Sequence, residues 1–328
     1  MMKVLRTPDS QFADLPDYDF TPNYTSVTDA DGTVLRMHSV DVGPRDADPI
    51  LLIHGNPTWS YLYRHMIPLL QRSGRRVIAV DLIGCGRSDK PARRKDYTLE
   101  RHKEWIIQWL LANDLHNITL FCHDWGVTFG LDLVARYPER FARVAISNST
   151  LPTATESQRS QILRLWLRVM KFAVRFPWSW AFKGAFKRTG GIPEAVFRAY
   201  RAPFPGFRYE AGIVKFPQLI TIYPEHPELA SNVESWNLLG DFDKPVITLF
   251  GDKDPISRGF EKELQAHIPG CAQQDHKILQ GVGHFSPEEV PEELAALLLE
   301  FIRATEGRSQ TALAENGASA HQQSLERA

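Results

Sequence analysis

The chain has 328 residues, 43% of them hydrophobic. It can bury one large core, and an open sheet carrying an inserted segment commonly reaches this size as one domain. Its 38 Lys and Arg against 39 Asp and Glu sum to almost no net field, which argues against nucleic acid or an anionic membrane as partner and for a small, weakly charged ligand. The N-terminal stretch MMKVLRTPDSQFADLPDYDF lacks the continuous apolar segment of a secretory signal, and no later segment approaches a membrane-spanning run. A cytoplasmic protein, acting as a monomer, is expected.

Between Tyr24 and Val42, Asp31-Gly32 separates two β-branched stretches, a dipeptide suited to a hairpin turn with positive φ. Short apolar runs follow at Ile50 to Ile53, Val77 to Val80, Ile118 to Cys122, Val144 to Ser147 and Val246 to Phe250, each bounded by Gly, Pro or Asp. They read as buried, parallel strands. Helical stretches such as Leu99 to Asn113 and Trp125 to Tyr137, the second closed by Pro138, lie between them and put helices on both faces of a sheet.

The rhythm breaks from about Leu151 to Leu239, where Ile162, Leu165, Trp166, Val169 and Ala173 follow helical spacing and no strong strand occurs. The expected organisation is a first core part over 1–150, a helical cap over 151–239 and a second core part over 240–304. A polar tail over 305–328 has too little apolar surface to offset the entropy of ordering it. Cys85, Cys122 and Cys271 are widely spaced and without CxxC pattern, so neither a disulfide framework nor a zinc site is expected.

The strand ending at Cys122 runs into His123-Asp124-Trp125-Gly126 and a helix. This is the pattern of a nucleophile elbow, with Asp where Ser is usual and Val127 where a second Gly is frequent. A helix N-terminus behind Asp124 favours its ionised form. A carboxylate can displace a leaving group from saturated carbon directly, leaving an ester for water to cleave. The loop His54-Gly55-Asn56-Pro57 is placed to offer the main-chain N–H of Asn56 beside that of Trp125 as an oxyanion hole.

Downstream, Gly251-Asp252-Lys253-Asp254 follows one strand, and Gly281-Val282-Gly283-His284 follows the short strand Lys277 to Gln280. The order nucleophile, acid, His is that of a hydrolase triad on this kind of sheet. Asp254 is favoured over Asp252, which suits the turn. The other position where an acid could serve, after the Val144 to Ser147 strand, holds Asn148. Asp254 would orient His284, and His284 would deprotonate the hydrolytic water.

From about Leu15 to Ile302 the chain resembles the haloalkane dehalogenases of the α/β-hydrolase fold. The resemblance rests on HGNPTWSYLYR (His54 to Arg64), GCGRSDKP (Gly84 to Pro91), HDWG (His123 to Gly126), AYRAPFP (Ala199 to Pro205) and GHF (Gly283 to Phe285). It implies a mostly parallel central sheet flanked by helices with an inserted helical cap, no cofactor or metal, and small halogenated hydrocarbons and water as substrates. It also implies two side-chain N–H donors for the departing halide. Trp125 matches the first. The second is a cap Trp in the family's first subfamily and an Asn at the position of Asn56 in the others; Trp166 and Asn56 are both present, and both stay open here. The cap residues Trp178 and Trp180 are read as packing, and the basic run Lys183 to Arg188 as solvated surface.

Four other readings are weighed. An epoxide hydrolase would share the Asp nucleophile but needs cap acids, for which Tyr200, Tyr209 and Tyr223 are available. A β-lactone-acting enzyme could use the same carboxylate, whereas a fluoroacetate-type enzyme would need an Arg that DWGVTFG does not offer. A ligand-binding protein on a hydrolase scaffold would carry a broken triad, and here all three members are present.

Overall fold

A computed structural model describes residues 1–155, 161–182 and 184–306. Its centre is an eight-stranded sheet. The strands are β1 (Asn23–Thr28), β2 (Val34–Val42), β3 (Pro49–Ile53), β4 (Arg76–Val80), β5 (Ile118–His123), β6 (Phe141–Ser147), β7 (Val246–Gly251) and β8 (Lys277–Leu279). Their spatial order is β1-β2-β4-β3-β5-β6-β7-β8. The β1–β2 hairpin and the β2–β4 pair are antiparallel, and every later pair is parallel. Gly32 turns the hairpin with φ 81°, as its dipeptide predicts. Strands β3 and β5 are buried along their whole length, which explains why they read as unbroken apolar runs.

The helices outside the insertion are α1 (Met66–Gln71), α2 (Leu99–Ala112) and α3 (Trp125–Arg136) before it, and α9 (Phe260–His267), α10 (Ser286–Glu289) and a helix over 291–306 after it. Thr98 caps α2 by accepting the Arg101 N–H, one of the orphan donors at a helix start. Because strand and helix alternate, the carboxyl ends of β3, β5, β6 and β7 open on one edge, where loops converge at the reversal of strand order.

Between β6 and β7 the described chain is helical: α4 (Gln161–Phe172), α5 (Trp178–Phe182), α6 (Glu194–Arg201), α7 (Ala211–Lys215) and α8 (Leu229–Leu239). The last of these returns to the sheet's flank, where Ser235 donates to Asp132 of α3.

Along α4, Leu163 and Met170 are buried, whereas Ile162, Leu165 and Val169 are exposed. Apolar spacing gave the helix but not which sector meets the core. The polar tail begins later than Thr305, since Thr305 is buried in the last helix and donates to the Phe301 carbonyl; residues 307–328 lie outside the described residues, as does Lys183 of the basic run. Among the described residues no helix is long and apolar enough to cross a membrane. The three cysteines are unpaired and buried.

Candidate active site

Asp124 stands between β5 and α3 with φ 52° and ψ −123°. A non-glycine residue there stores on the order of 1–3 kcal/mol of strain, tolerated where the surroundings over-determine the turn. Two glycines make the turn possible. A Cβ on Gly126 would lie 2.0 Å from the Ile53 carbonyl oxygen, and one on Gly55 would lie 2.1 Å from Asp124 Oδ1. Both therefore mark close approach of backbone to backbone or to the nucleophile. Val127, whose type departs from the common elbow pattern, is fully buried in α3 and is not at the point of contact.

The carboxylate is met from two sides. The main-chain N–H of Asn56 donates to Oδ1 at 2.8 Å and His284 Nε2 lies 3.3 Å from Oδ2, while the adjacent Trp125 N–H also favours the ionised form. Burial raises the pKa of Asp124, but these donors and the charge of His284 outweigh it and hold the group below its ordinary value. The loop carrying Asn56 is fixed by His54, whose Nδ1–H donates to the Gly55 carbonyl while Nε2 accepts the Leu82 N–H. Burial lowers the pKa of His54, consistent with the neutral ring those two bonds require.

On the other side of His284, Nδ1 lies 2.9 Å from Asp254 Oδ2. Asp254 also accepts from the Ile256 N–H and the Ser257 hydroxyl. Asp252 is elsewhere, accepting the Gly281 N–H and paired with Lys253. The geometry thus brings together Asp124, His284 and Asp254 and leaves Asp252 in the turn. Burial pushes the pKa of His284 down, but Asp254 and Asp124 prevail and lift it to about 10.

Residues not singled out for this role in the sequence hold the histidine loop. Asn148, at φ 48° after β6, donates through Nδ2 to the carbonyls of Gly283 and His284, each at 2.8 Å, and accepts the Gly251 N–H. His123 Nε2–H donates to the same His284 carbonyl at 2.7 Å. The signal available in the sequence was a polar side chain at the end of an apolar strand. Its meaning depends on where another loop arrives.

A cavity of about 240 Å³ opens above Asp124, and a smaller one of about 60 Å³ adjoins it. The larger is lined by Asp124, Trp125, Asn56 and His284 from the sheet side and by Leu163, Trp166, Phe176, Trp180 and Ile220 from the cap. Trp180, expected to pack, instead lines this chamber and is half exposed; Trp178 is buried as expected. The smaller chamber shares Asp124 and Trp125 and adds the hydroxyls of Thr128, Ser149 and Thr150.

The three candidate halide donors all line the larger chamber, but in different states. No acceptor among the described residues takes the indole N–H of Trp125 or of Trp166. The Asn56 amide already donates to the Ile213 carbonyl at 3.2 Å. Trp125 stacks on Phe129 and meets Phe216 edge-on, and Trp166 packs against Trp180 and Phe176. The three tyrosines that an epoxide hydrolase would need are not available: none lines either chamber, and the Tyr200 hydroxyl donates to Glu288. Among the described residues no cluster of His, Cys, Asp or Glu is arranged to hold a metal ion.

Residues 48–291 match the α/β hydrolase fold family. The chain is 47% identical over 301 residues to a haloalkane dehalogenase of Psychrobacter cryohalolentis, covering 92% of this chain and 98% of that protein. It is 43% identical over 304 residues to haloalkane dehalogenase 1 of Mycobacterium tuberculosis, covering 93% and 100%. Among solved structures, the tetrameric haloalkane dehalogenase DpaA of Paraglaciecola agarilytica superposes with a TM-score of 0.83 at 31% identity, over 91% of this chain and 98% of that one. On fold, site order and similarity along nearly its whole length, the chain belongs to the haloalkane dehalogenases of the α/β hydrolase fold.

Proposed function

We propose that the protein hydrolyses the carbon–halogen bond of small haloalkanes through a covalent ester on Asp124. The observation that carries this reading is an ionised carboxylate at the elbow, facing an apolar chamber that also holds indole N–H groups with no acceptor. Asp124 attacks the halogen-bearing carbon, the carbon–oxygen bond forms as the carbon–halogen bond breaks, and the electron pair leaves with the halide. Trp125 donates to that halide. An indole N–H has no lone pair to repel an anion, and in an apolar chamber its hydrogen bond to a charge is strong.

For the second donor we choose Trp166. Its N–H can turn to a halide without breaking a bond, whereas the Asn56 amide would have to share or give up the Ile213 carbonyl. Asn56 keeps its main-chain role: its N–H, which donates to the Asp124 carboxylate, and that of Trp125 beside it hold the oxyanion formed when water attacks the ester. Such donors contribute about 3–4 kcal/mol each in well-studied hydrolases.

The raised pKa of His284 belongs to the resting site, where two carboxylates flank the ring. Esterification removes the charge of Asp124, so His284 faces one carboxylate and its proton affinity falls. The step that needs a base is thereby the step that produces one. Water is then deprotonated at Nε2 and attacks the ester carbon, releasing the alcohol and restoring Asp124, while Asp254 holds the imidazolium.

The test is halide release from short bromoalkanes, with mass spectrometry of His284→Ala. Halide release by the parent and an alkyl adduct on Asp124 in the variant are expected. A folded parent that releases no halide across chain lengths and halogens, yet turns over epoxides or β-lactones, overturns the substrate assignment; reversible ligand binding without an adduct points to a non-catalytic scaffold.

A further inference from the structure

The near-neutral charge of the whole chain conceals an uneven distribution. Residues 161–201 contain nine Arg or Lys and a single acid, Glu194. Some of these cations are committed: Arg175 pairs with Glu210, Arg188 with Glu293 and Arg198 with Glu194. Arg164, Arg168 and Lys171 of α4 are exposed, and none of them has an acidic partner among the described residues.

The same helix has three sectors where a surface helix ordinarily has two. Leu163 and Met170 are buried; Leu165, Val169 and Phe172, at helical spacing, face outward; the three free cations occupy the remaining sector. Phe172 is 76% exposed, and just beyond the helix Val174 is 77% exposed, with half-exposed Trp180 nearby in α5. An outward apolar stripe with aromatic members, bordered among the described residues by unpaired cations and by no free acid, has the composition of a helix lying in a membrane interface.

We propose that this face of the cap docks on an anionic lipid bilayer, with Val169, Phe172, Val174 and Trp180 entering the headgroup region and Arg164, Arg168 and Lys171 meeting lipid phosphates. Charge complementarity selects the occupant: a neutral bilayer or an apolar protein surface would leave the three cations unanswered. The proposal does not rest on the reaction, but it has a consequence for it. Leu165 and Trp180 belong to the exposed face and also line the chamber above Asp124, so an apolar solute dissolved in the bilayer meets the chamber at its rim.

The experiment is co-flotation of the full chain with vesicles of phosphatidylcholine alone and of phosphatidylcholine with one third phosphatidylglycerol. Binding to the anionic vesicles only is expected, lost at about 1 M salt, where the screening length falls to about 3 Å. Phe172→Ser should lower partition about tenfold or more, and Arg164→Gln and Arg168→Gln about fivefold each. None of these residues lines the chamber, and unchanged thermal midpoints would show each variant folded. No flotation with either vesicle overturns the proposal, as does equal flotation with both. Self-association in sedimentation that Phe172→Ser abolishes, without vesicle binding, also overturns it and assigns the face to a second copy.

Discussion

The two walls of the chamber are built on opposite principles. On the sheet side the triad is held by polar contacts: Asp124 by the Asn56 N–H and His284, Asp254 by three donors, and the His284 carbonyl by Asn148 and His123. On the cap side Trp166 and Trp180 are placed by ring packing alone, with no acceptor for their N–H groups among the described residues. Charges that act in every turnover gain from preorganisation, because no reorganisation is needed when the oxyanion appears. A wall held by packing can change shape with the substrate, so selectivity belongs to the cap and chemistry to the sheet.

The largest effects should come from the sheet wall. Asp124→Asn keeps the volume and tolerates the positive φ, yet removes the nucleophile; halide release should fall by about 10,000-fold or more. Asp254→Asn leaves His284 poorly oriented, and by analogy with other triads turnover should drop about 10,000-fold. In that variant the ester should still form, so a burst of one halide per active site separates it from Asp124→Asn. Loss of the burst as well would mean that Asp254 supports the first step, and the division of labour proposed here fails.

The same wall fixes a pH signature. In the resting site His284 is raised to about 10, above its ordinary value near 6.5. Its contribution to stability is therefore complete below about pH 6.5 and is lost as pH rises through about 10. Asp124 and Asp254, both held low, contribute in the opposite sense, losing stability as pH falls below the ordinary carboxylate range. Ester hydrolysis needs neutral His284 and occurs when Asp124 carries no charge. In single-turnover experiments it should rise with pH through a midpoint well below about 10. A midpoint at about 10 would show that alkylation leaves the ring's proton affinity unchanged.

A smaller, structural effect probes how the two walls are joined. Arg64 forms two bonds of 2.6 Å to Glu288, on the helix that follows His284, and Tyr200 of the cap donates to the same carboxylate. Arg64 also sits 4.2 Å over the Tyr61 ring. Glu288→Ala leaves a buried guanidinium without its anion, and urea unfolding should show a loss of about 3–5 kcal/mol. A loss below about 1 kcal/mol would mean that water reaches Arg64 once the carboxylate is gone.

The sheet wall was the more legible part of the sequence, for a physical reason. Its groups sit where strands end, and strand ends are marked locally by apolar runs meeting Gly and Asp. That sufficed for the elbow, for Asp254 over Asp252, and for His284. Asn148 reads in the sequence only as a non-acid in the alternative acid position and His123 only as part of the elbow, because their role depends on the distant loop that carries His284. The cap was less legible: helical spacing identified α4, yet Leu163 and Met170 are buried while Ile162, Leu165 and Val169 are exposed. A helix with two apolar sectors does not say which one meets the core. Trp180 of α5 reads as packing, yet it both packs on Trp166 and lines the chamber, which only the meeting of α4 and α5 decides.

The smallest effect tests the cap wall itself. If the halide is held by Trp125 and Trp166, Trp166→Phe keeps most of the ring packing against Trp180 and Phe176 and removes one N–H. A hydrogen bond to a charged group is worth about 1.5–3 kcal/mol, so the halide dissociation constant, read from quenching of tryptophan fluorescence, should rise about 10- to 150-fold. Asn56→Ala keeps the main-chain N–H on Asp124 and loses only the bond to Ile213, so its halide affinity should change less than Trp166→Phe. The reverse ranking would move the second donor onto the sheet side of the chamber. The leaving group would then be held by the same rigid wall as the nucleophile, and the cap would be left with substrate shape alone.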